Sequence, residues 1–106
     1  MHKVLIIGGS NGIGLSMALL LLKEGHKVTV VDKTAPDTAV EGAEKISFIQ
    51  VNLIEGDYSF LDECPDIDTL IYTAGFGRVA RFETIHPVEI ENLFKVNTIP
   101  LFRILR

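Results

Sequence analysis

Gly8-Gly9-Ser10-Asn11-Gly12-Ile13-Gly14 lies between an apolar run, Val4-Leu5-Ile6-Ile7, and a leucine-rich run from Leu15 to Leu22. A buried strand, a glycine turn and a helix in that order make a cradle for a phosphate group. The helix N-terminus offers N–H groups without intrahelical partners and a partial positive charge. Glycines let an anion come close to the backbone. The spacing is G-x-x-x-G-x-G. The alternative G-x-G-x-x-G, read from Gly12, would need its third glycine at Met17, and fails.

The remainder alternates strands with helices. Apolar runs and turn residues predict strands over 3–7, 27–32 (K-V-T-V-V-D), 46–51 and 68–73. A first helix is expected over 12–24, stopped by Gly25. Pro36 and Gly42 mark a loop with little helix, and a short helix over 57–63 is expected to end at Pro65. Pro87 suits the first turn of a long final helix, with Glu89 and Glu91 near its positive end. No repeat or linker interrupts the 106 residues, so one domain is expected. This alternation predicts an α/β fold: a Rossmann-like doubly wound parallel sheet with right-handed crossovers and strand order 3-2-1-4.

Composition excludes several classes. A 47% hydrophobic content and positive mean hydropathy fit a globular domain. The apolar runs are too short to span a bilayer, and Met1-His2-Lys3 leads directly into a strand, so neither a membrane segment nor a signal peptide is expected. The single cysteine, Cys64, cannot form an internal disulfide, which fits a cytoplasmic location. The net charge is −4, and residues 32–68 hold ten acidic and two basic residues. No basic stripe exists for nucleic acid, and His2, His26 and His86 lack metal-ligand spacing.

In order along the chain stand Ile7 to Gly14, Asp32 at the end of the second strand, Asn52-Leu53, Tyr72-Thr73-Ala74-Gly75, and Val96-Asn97. This set resembles the short-chain dehydrogenase/reductase family. Its pattern T-G-x-x-x-G-x-G matches from Ile7, with isoleucine for threonine. Its Asp-Val or Asp-Leu, Asn-Asn-Ala-Gly and helix asparagine match the later motifs in register.

The resemblance implies a dinucleotide cofactor and a small alcohol or carbonyl substrate. Gly8 would permit the turn, Gly12 the approach of the diphosphate, and Gly14 the close passage of helix past strand, with Ile13 between them. The same glycines would serve a tight turn without ligand. Ser10 and Asn11 can reach ribose or phosphate, or cap the helix. Asp32 can accept from the adenosine 2′- and 3′-hydroxyls and would repel a 2′-phosphate, favouring NAD over NADP. Lys33, adjacent, offsets part of that repulsion.

Asn52 replaces an aspartate that receives the adenine amino group; its amide oxygen can accept that bond without charge, and Leu53 would offer its N–H. An ordinary turn explains both equally well. Tyr72 and Thr73 replace asparagines that brace the central strands, while Ala74 and Gly75 keep a small surface for the cofactor ribose. Asn97 matches one member of the family's catalytic set, an asparagine that holds a water in a relay. Pro100 deprives the Val96 carbonyl of its helical partner and predicts a kink there. Arg78 and Arg81 read as solvated loop charges.

Two family features have no counterpart: a serine after a fifth strand, and Tyr-x-x-x-Lys. The tyrosines are Tyr58 and Tyr72, and four residues after Tyr58 stands Asp62. The expectation is therefore the cofactor-binding half of a short-chain oxidoreductase, truncated after the fourth strand and its helix, and catalytically silent alone. Two other classes remain open: a non-catalytic dinucleotide-binding module or redox sensor, and a dimerisation domain that has lost its ligand. The final helix carries Leu93, Phe94, Val96, Ile99, Leu101, Phe102, Ile104 and Leu105 around most of its circumference. A helix apolar on all sides must be covered, which predicts a homodimer through residues 88–105.

Overall fold

The computed structural model describes residues 1–37, 39–74, 84, 86–99 and 103–104. Its elements are β1 (Lys3–Ile7), α1 (Gly12–Lys23), β2 (Lys27–Asp32), β3 (Ser47–Gln50), β4 (Thr69–Tyr72) and α2 (Pro87–Asn97). Three 3-10 turns, Ala43–Lys45, Leu53–Glu55 and Ser59–Glu63, join them. The four strands form one sheet in the order β3-β2-β1-β4. All three pairings are parallel, with Leu5 opposite Thr29 and Leu70, and Val30 opposite Phe48. The expected fold and strand order are both present.

The strands read as unbroken apolar runs because both faces of the sheet are covered. Side chains alternate across β1, so Val4 and Ile6 join Ala18, Val28 and Val30 in a core beneath α1. Leu5 and Ile7 point the other way and pack with Val31, Leu53 and Phe60. Ile6, Ile7, Val30 and Val31 are all 0% exposed, which places the sheet's centre in both cores. Full burial of such side chains contributes roughly 1.5–3 kcal/mol each before entropic costs.

Helix α1 begins at Gly12, as its sequence predicts, and ends one residue earlier than expected. Its end is a Schellman closure, in which the N–H of Gly25 donates to Leu22 (3.1 Å) and that of His26 to Leu21 (3.0 Å). Strands three and four are each one residue shorter at both ends than the apolar runs suggest. The helix expected over 57–63 is instead the 3-10 turn Ser59–Glu63. Asp57 accepts the Ser59 N–H at 2.9 Å, a local side-chain bond that marks where this turn starts. Pro87 and Glu89 sit in the first turn of α2 as expected, and α2 lies against the Leu53–Glu55 turn. No helix among the described residues is long and apolar enough to cross a membrane, and none of their His, Cys, Asp or Glu side chains group as a metal site.

Candidate functional site

Because the strands are parallel, their carboxyl ends all emerge on one edge of the sheet. There β1 runs into the glycine turn, β2 ends at Asp32, β3 leads to Val51-Asn52, and β4 leads to Thr73-Ala74. The chain leaves β1 towards β2 and β3 on one side, while β4 lies on the other. Open α/β sheets bind ligands at such a switch point. A groove of about 320 Å³ occupies it, lined by Gly8, Asn11, Asp32, Lys33, Asn52, Leu53 and Ala74, with Val31, Val51, Ile54, Thr73 and Val96 as further walls. That volume lies at the lower end for small-molecule sites.

The glycines divide by what surrounds them. Gly8 has φ +91°, and a Cβ there would meet the Ala74 nitrogen at 2.5 Å. Its N–H donates to the Val31 carbonyl at 2.8 Å, which fixes the turn to the end of β2. A Cβ on Gly14 would meet Thr73 Oγ1 at 2.5 Å and the Gly8 carbonyl at 2.6 Å, because α1 crosses β4 and the turn there at close range. Gly12 is different: a Cβ would meet nothing within 4 Å. Gly12 and Ile13 are exposed, and neither lines the groove.

Asn11 occupies the N-cap position in extended conformation, yet its side chain makes no capping bond. No acidic residue stands in the first turn of α1. Neither the cap side chain nor an acidic residue of the first turn therefore satisfies the helix's positive end, and Asn11, exposed beside it, reaches the groove.

Asp32 stands across the groove. Its Oδ2 accepts the Ser10 N–H at 3.2 Å, and its Oδ1 accepts the Lys33 N–H at 2.7 Å. A carboxylate oxygen takes two hydrogen bonds, so each keeps an acceptor position for a ligand hydroxyl. Ser10 is the one buried polar side chain among the described residues, and its hydroxyl donates to the Thr34 carbonyl. It neither lines the groove nor caps α1. Asn52 is exposed, and its Oδ1 accepts the Ile54 N–H at 3.1 Å, capping the Leu53–Glu55 turn. One acceptor position of that oxygen is thus committed to the turn, while Leu53 buries its side chain in the core.

On the far side, Thr73 Oγ1 lies 3.1 Å from the Ile7 carbonyl and 3.0 Å from that of Gly8, so it ties β4 to the glycine turn. The Tyr72 hydroxyl donates to the carbonyl of Val96. That carbonyl is the one whose i+4 neighbour, Pro100, has no N–H. Carbonyls in the last turn of a helix lack intrahelical donors, and the phenol supplies one to Val96. Both substitutions for asparagine brace the sheet, and Asn97 is exposed at the last residue of α2, directly after Val96 in the groove wall. Gly75, Arg78, Arg81 and Pro100 lie outside the described residues.

Burial, reinforced by Tyr58, pushes the Tyr72 hydroxyl up to about 12. A group whose pKa is raised on folding stabilises the fold below its unfolded value, near 10, and loses that contribution as pH rises through its folded value. Absorbance titration is expected to show one tyrosine ionising near 12, absent in Tyr72→Phe. Denaturant unfolding of Tyr72→Phe is expected to show a loss of about 1 kcal/mol. An unchanged stability in Tyr72→Phe would mean that the phenol does not serve this carbonyl.

Six of the expected residues therefore line one groove: Gly8, Asn11, Asp32, Asn52, Leu53 and Ala74. Gly12, Ile13, Gly14 and Ser10 do not line it: Gly12 and Ile13 are exposed, while Ser10 and Gly14 are buried. Val31, Val51, Ile54 and Val96 form apolar walls that no sequence motif assigns to the site. Three of them adjoin the strand ends or the cap that follows β3, which is the signal that identifies them.

The sequence profile described as short chain dehydrogenase matches residues 2–106. An uncharacterised oxidoreductase of Emericella nidulans is 32% identical over 108 residues, covering 93% of this chain and 42% of that protein. A 3-dehydrosphinganine reductase of Arabidopsis thaliana is 29% identical, covering 99% of this chain and 34% of that protein. Among solved structures, a short chain dehydrogenase family protein from Francisella tularensis superposes with a TM-score of 0.84 at 25% identity, over 99% of this chain and 44% of that one. A short chain dehydrogenase from Leptospira borgpetersenii with bound NAD+ superposes with a TM-score of 0.79 at 25% identity, over 98% of this chain and 43% of that one. The chain thus spans less than half the length of each of these relatives. With its sheet order, its glycine turn and a profile match over nearly every residue, the chain belongs to the short-chain dehydrogenase family of oxidoreductases.

Proposed function

We propose that this chain is the cofactor-binding part of an NAD-dependent oxidoreductase that moves hydride between nicotinamide and a small alcohol or carbonyl substrate. The carrying observation is that one groove joins an uncapped helix N-terminus to the Asp32 carboxylate. An adenosine diphosphate needs both ends: donors for its phosphates and an acceptor for its ribose hydroxyls. Bound NAD+ in the Leptospira borgpetersenii relative supports the same ligand here. In this reading Gly12 leaves room for the diphosphate and Asn11 lies beside it. Asp32 takes the adenosine ribose, Asn52 and Leu53 flank the adenine, and Ala74 and Gly75 support the second ribose. Asn97 lies towards the nicotinamide end.

NADH fluorescence is expected to change saturably on titration with the protein, and less readily with NADPH. A flat titration with both would leave a fold that has lost its ligand. The 106 residues contain no Tyr-x-x-x-Lys. We therefore expect no steady reduction of NAD by a panel of alcohols with this chain alone; turnover that survives further purification would contradict that.

The proposal includes a cytoplasmic location and a homodimer through α2. Burial, with the Glu63 charge adding, pushes the Cys64 thiol up, which favours the thiol over the thiolate. On α2 and just beyond it, Val88, Ile90, Phe94 and Ile99 are 44–58% exposed. Leu101, Phe102 and Leu105 lie outside the described residues. Covering these side chains with a second copy removes them from water. Light scattering at tens of micromolar is expected to give a dimer mass, and Phe94→Glu to shift it towards monomer. A monomer mass for the unaltered protein would defeat the assignment.

A further inference from the structure

We propose that Ser10 is a positioning residue that sets cofactor discrimination by holding the Asp32 turn in place, without touching the ligand. The inference rests on the reading of the groove as a dinucleotide site. Ser10 is only 5% exposed, and it ties the glycine turn to the segment after β2 at two points. Its N–H donates to Asp32 Oδ2 at 3.2 Å and its hydroxyl donates to the Thr34 carbonyl, spans of 22 and 24 residues. Lys33 closes the bracket, its N–H donating to Asp32 Oδ1 at 2.7 Å. Gln50 Nε2 adds a tie to the Lys33 carbonyl at 3.1 Å, from the end of β3. The side chains of Lys33 and Thr34 are themselves exposed, so the turn is held through its backbone.

This bracket determines what a 2′-substituent meets. With the turn fixed, the Asp32 carboxylate faces the groove and repels a phosphate, while its free acceptor positions suit hydroxyls. Released, the turn can carry the carboxylate aside and let the neighbouring Lys33 ammonium approach the phosphate instead. The buried hydroxyl therefore acts on the difference between two ligands, through Asp32. A bond of this kind is worth about three- to tenfold in an equilibrium.

The test measures dissociation constants for NADH and NADPH with the protein and with Ser10→Ala, Thr34→Gly, Asp32→Ala and the double variant Ser10→Ala/Asp32→Ala. Ser10→Ala is expected to reduce the NADH preference by about three- to tenfold. It should change the preference much less in the Asp32→Ala background, where the carboxylate is gone and only the Lys33 ammonium remains to be moved. Thr34→Gly loosens the same anchor at an exposed residue and should reduce the preference in the same direction, even if Ser10→Ala fails to fold. Equal weakening of both ligands by these variants would overturn the inference, since a merely structural role predicts that. An equal loss of preference with and without Asp32 would also overturn it, because Ser10 would then act on the ligand itself. Failure of the unaltered protein to bind either nucleotide would instead remove the reading of the groove, and the inference with it.

Discussion

Gly8→Ala is expected to destabilise the native fold far more than Gly12→Ala, by about 2–6 kcal/mol against about 1 kcal/mol. The two substitutions add the same methyl group to the same turn, so their difference isolates environment. At Gly8 the new Cβ would stand 2.5 Å from the Ala74 nitrogen, 2.6 Å from its Cα and 2.9 Å from the Thr73 carbonyl carbon. All three are backbone atoms of the segment that follows β4, so no side chain can rotate away. The φ of +91° adds a second penalty, because side-chain-bearing residues rarely adopt it. A strained backbone costs about 1–3 kcal/mol, and overpacking a well-packed site a further 1–3 kcal/mol. Together these remove about 2–6 kcal/mol from a stability that is typically about 5–15 kcal/mol.

At Gly12 the added Cβ meets nothing, and the φ of +55° leaves a conformational cost of about 1 kcal/mol. Its methyl group would instead occupy space at the start of α1. Thermal or denaturant unfolding should therefore separate the two variants by several degrees or more, with NADH affinity reduced in Gly12→Ala. Equal melting temperatures for Gly8→Ala and the unaltered protein would show that β4 does not approach the turn as described.

The sheet was readable in the sequence because a parallel strand buried on both faces leaves a run such as Val4 to Ile7, and a glycine turn between strand and helix has few folds to serve. What sequence could not supply were partners distant along the chain. Ser10 in a glycine turn invites a ligand contact, since short polar side chains there usually face outward. Its burial depends on Thr34 folding back across the turn, and nothing local announces that. Tyr72 likewise reads as a lost asparagine until the Val96 carbonyl appears beside it. There the local signal did exist: Pro100 withdraws one donor, so a donor had to come from elsewhere. The short turn Ser59–Glu63 went the other way: Asp57 accepts the Ser59 N–H and fixes where the turn starts, but nothing local in the sequence announces that it stays a 3-10 turn. Asp32 needed no distant information, since the end of the second strand in this topology always faces the switch point.

Replacing Asp32 is expected to change which dinucleotide the groove prefers, and Asn and Ala at this position should separate charge from hydrogen bonding. Asp32 is half-buried, lines the groove and holds a carboxylate whose free acceptor positions suit two hydroxyls. A 2′-phosphate would place a second negative charge within a few ångströms of it. Two like charges about 4 Å apart repel by roughly 1 kcal/mol in bulk water and by roughly 4 kcal/mol near a protein surface. The exposed Lys33 ammonium next door removes part of this, so a ten- to hundredfold preference for NADH, about 1.4–2.8 kcal/mol, is the expected result. Asp32→Asn removes the charge and keeps one acceptor oxygen. It should strengthen NADPH binding while weakening NADH only modestly. Asp32→Ala removes both, so NADH should weaken further with NADPH little changed from the Asn variant. The repulsive part must also respond to salt: raising ionic strength shortens the screening length from about 10 Å at 0.1 M to about 3 Å at 1 M. The preference of the unaltered protein should therefore narrow with salt, and that of Asp32→Asn should narrow less. If NADPH binds as tightly as NADH at low salt, Asp32 does not select the cofactor and the carboxylate serves only to close the turn that Ser10 and Lys33 hold.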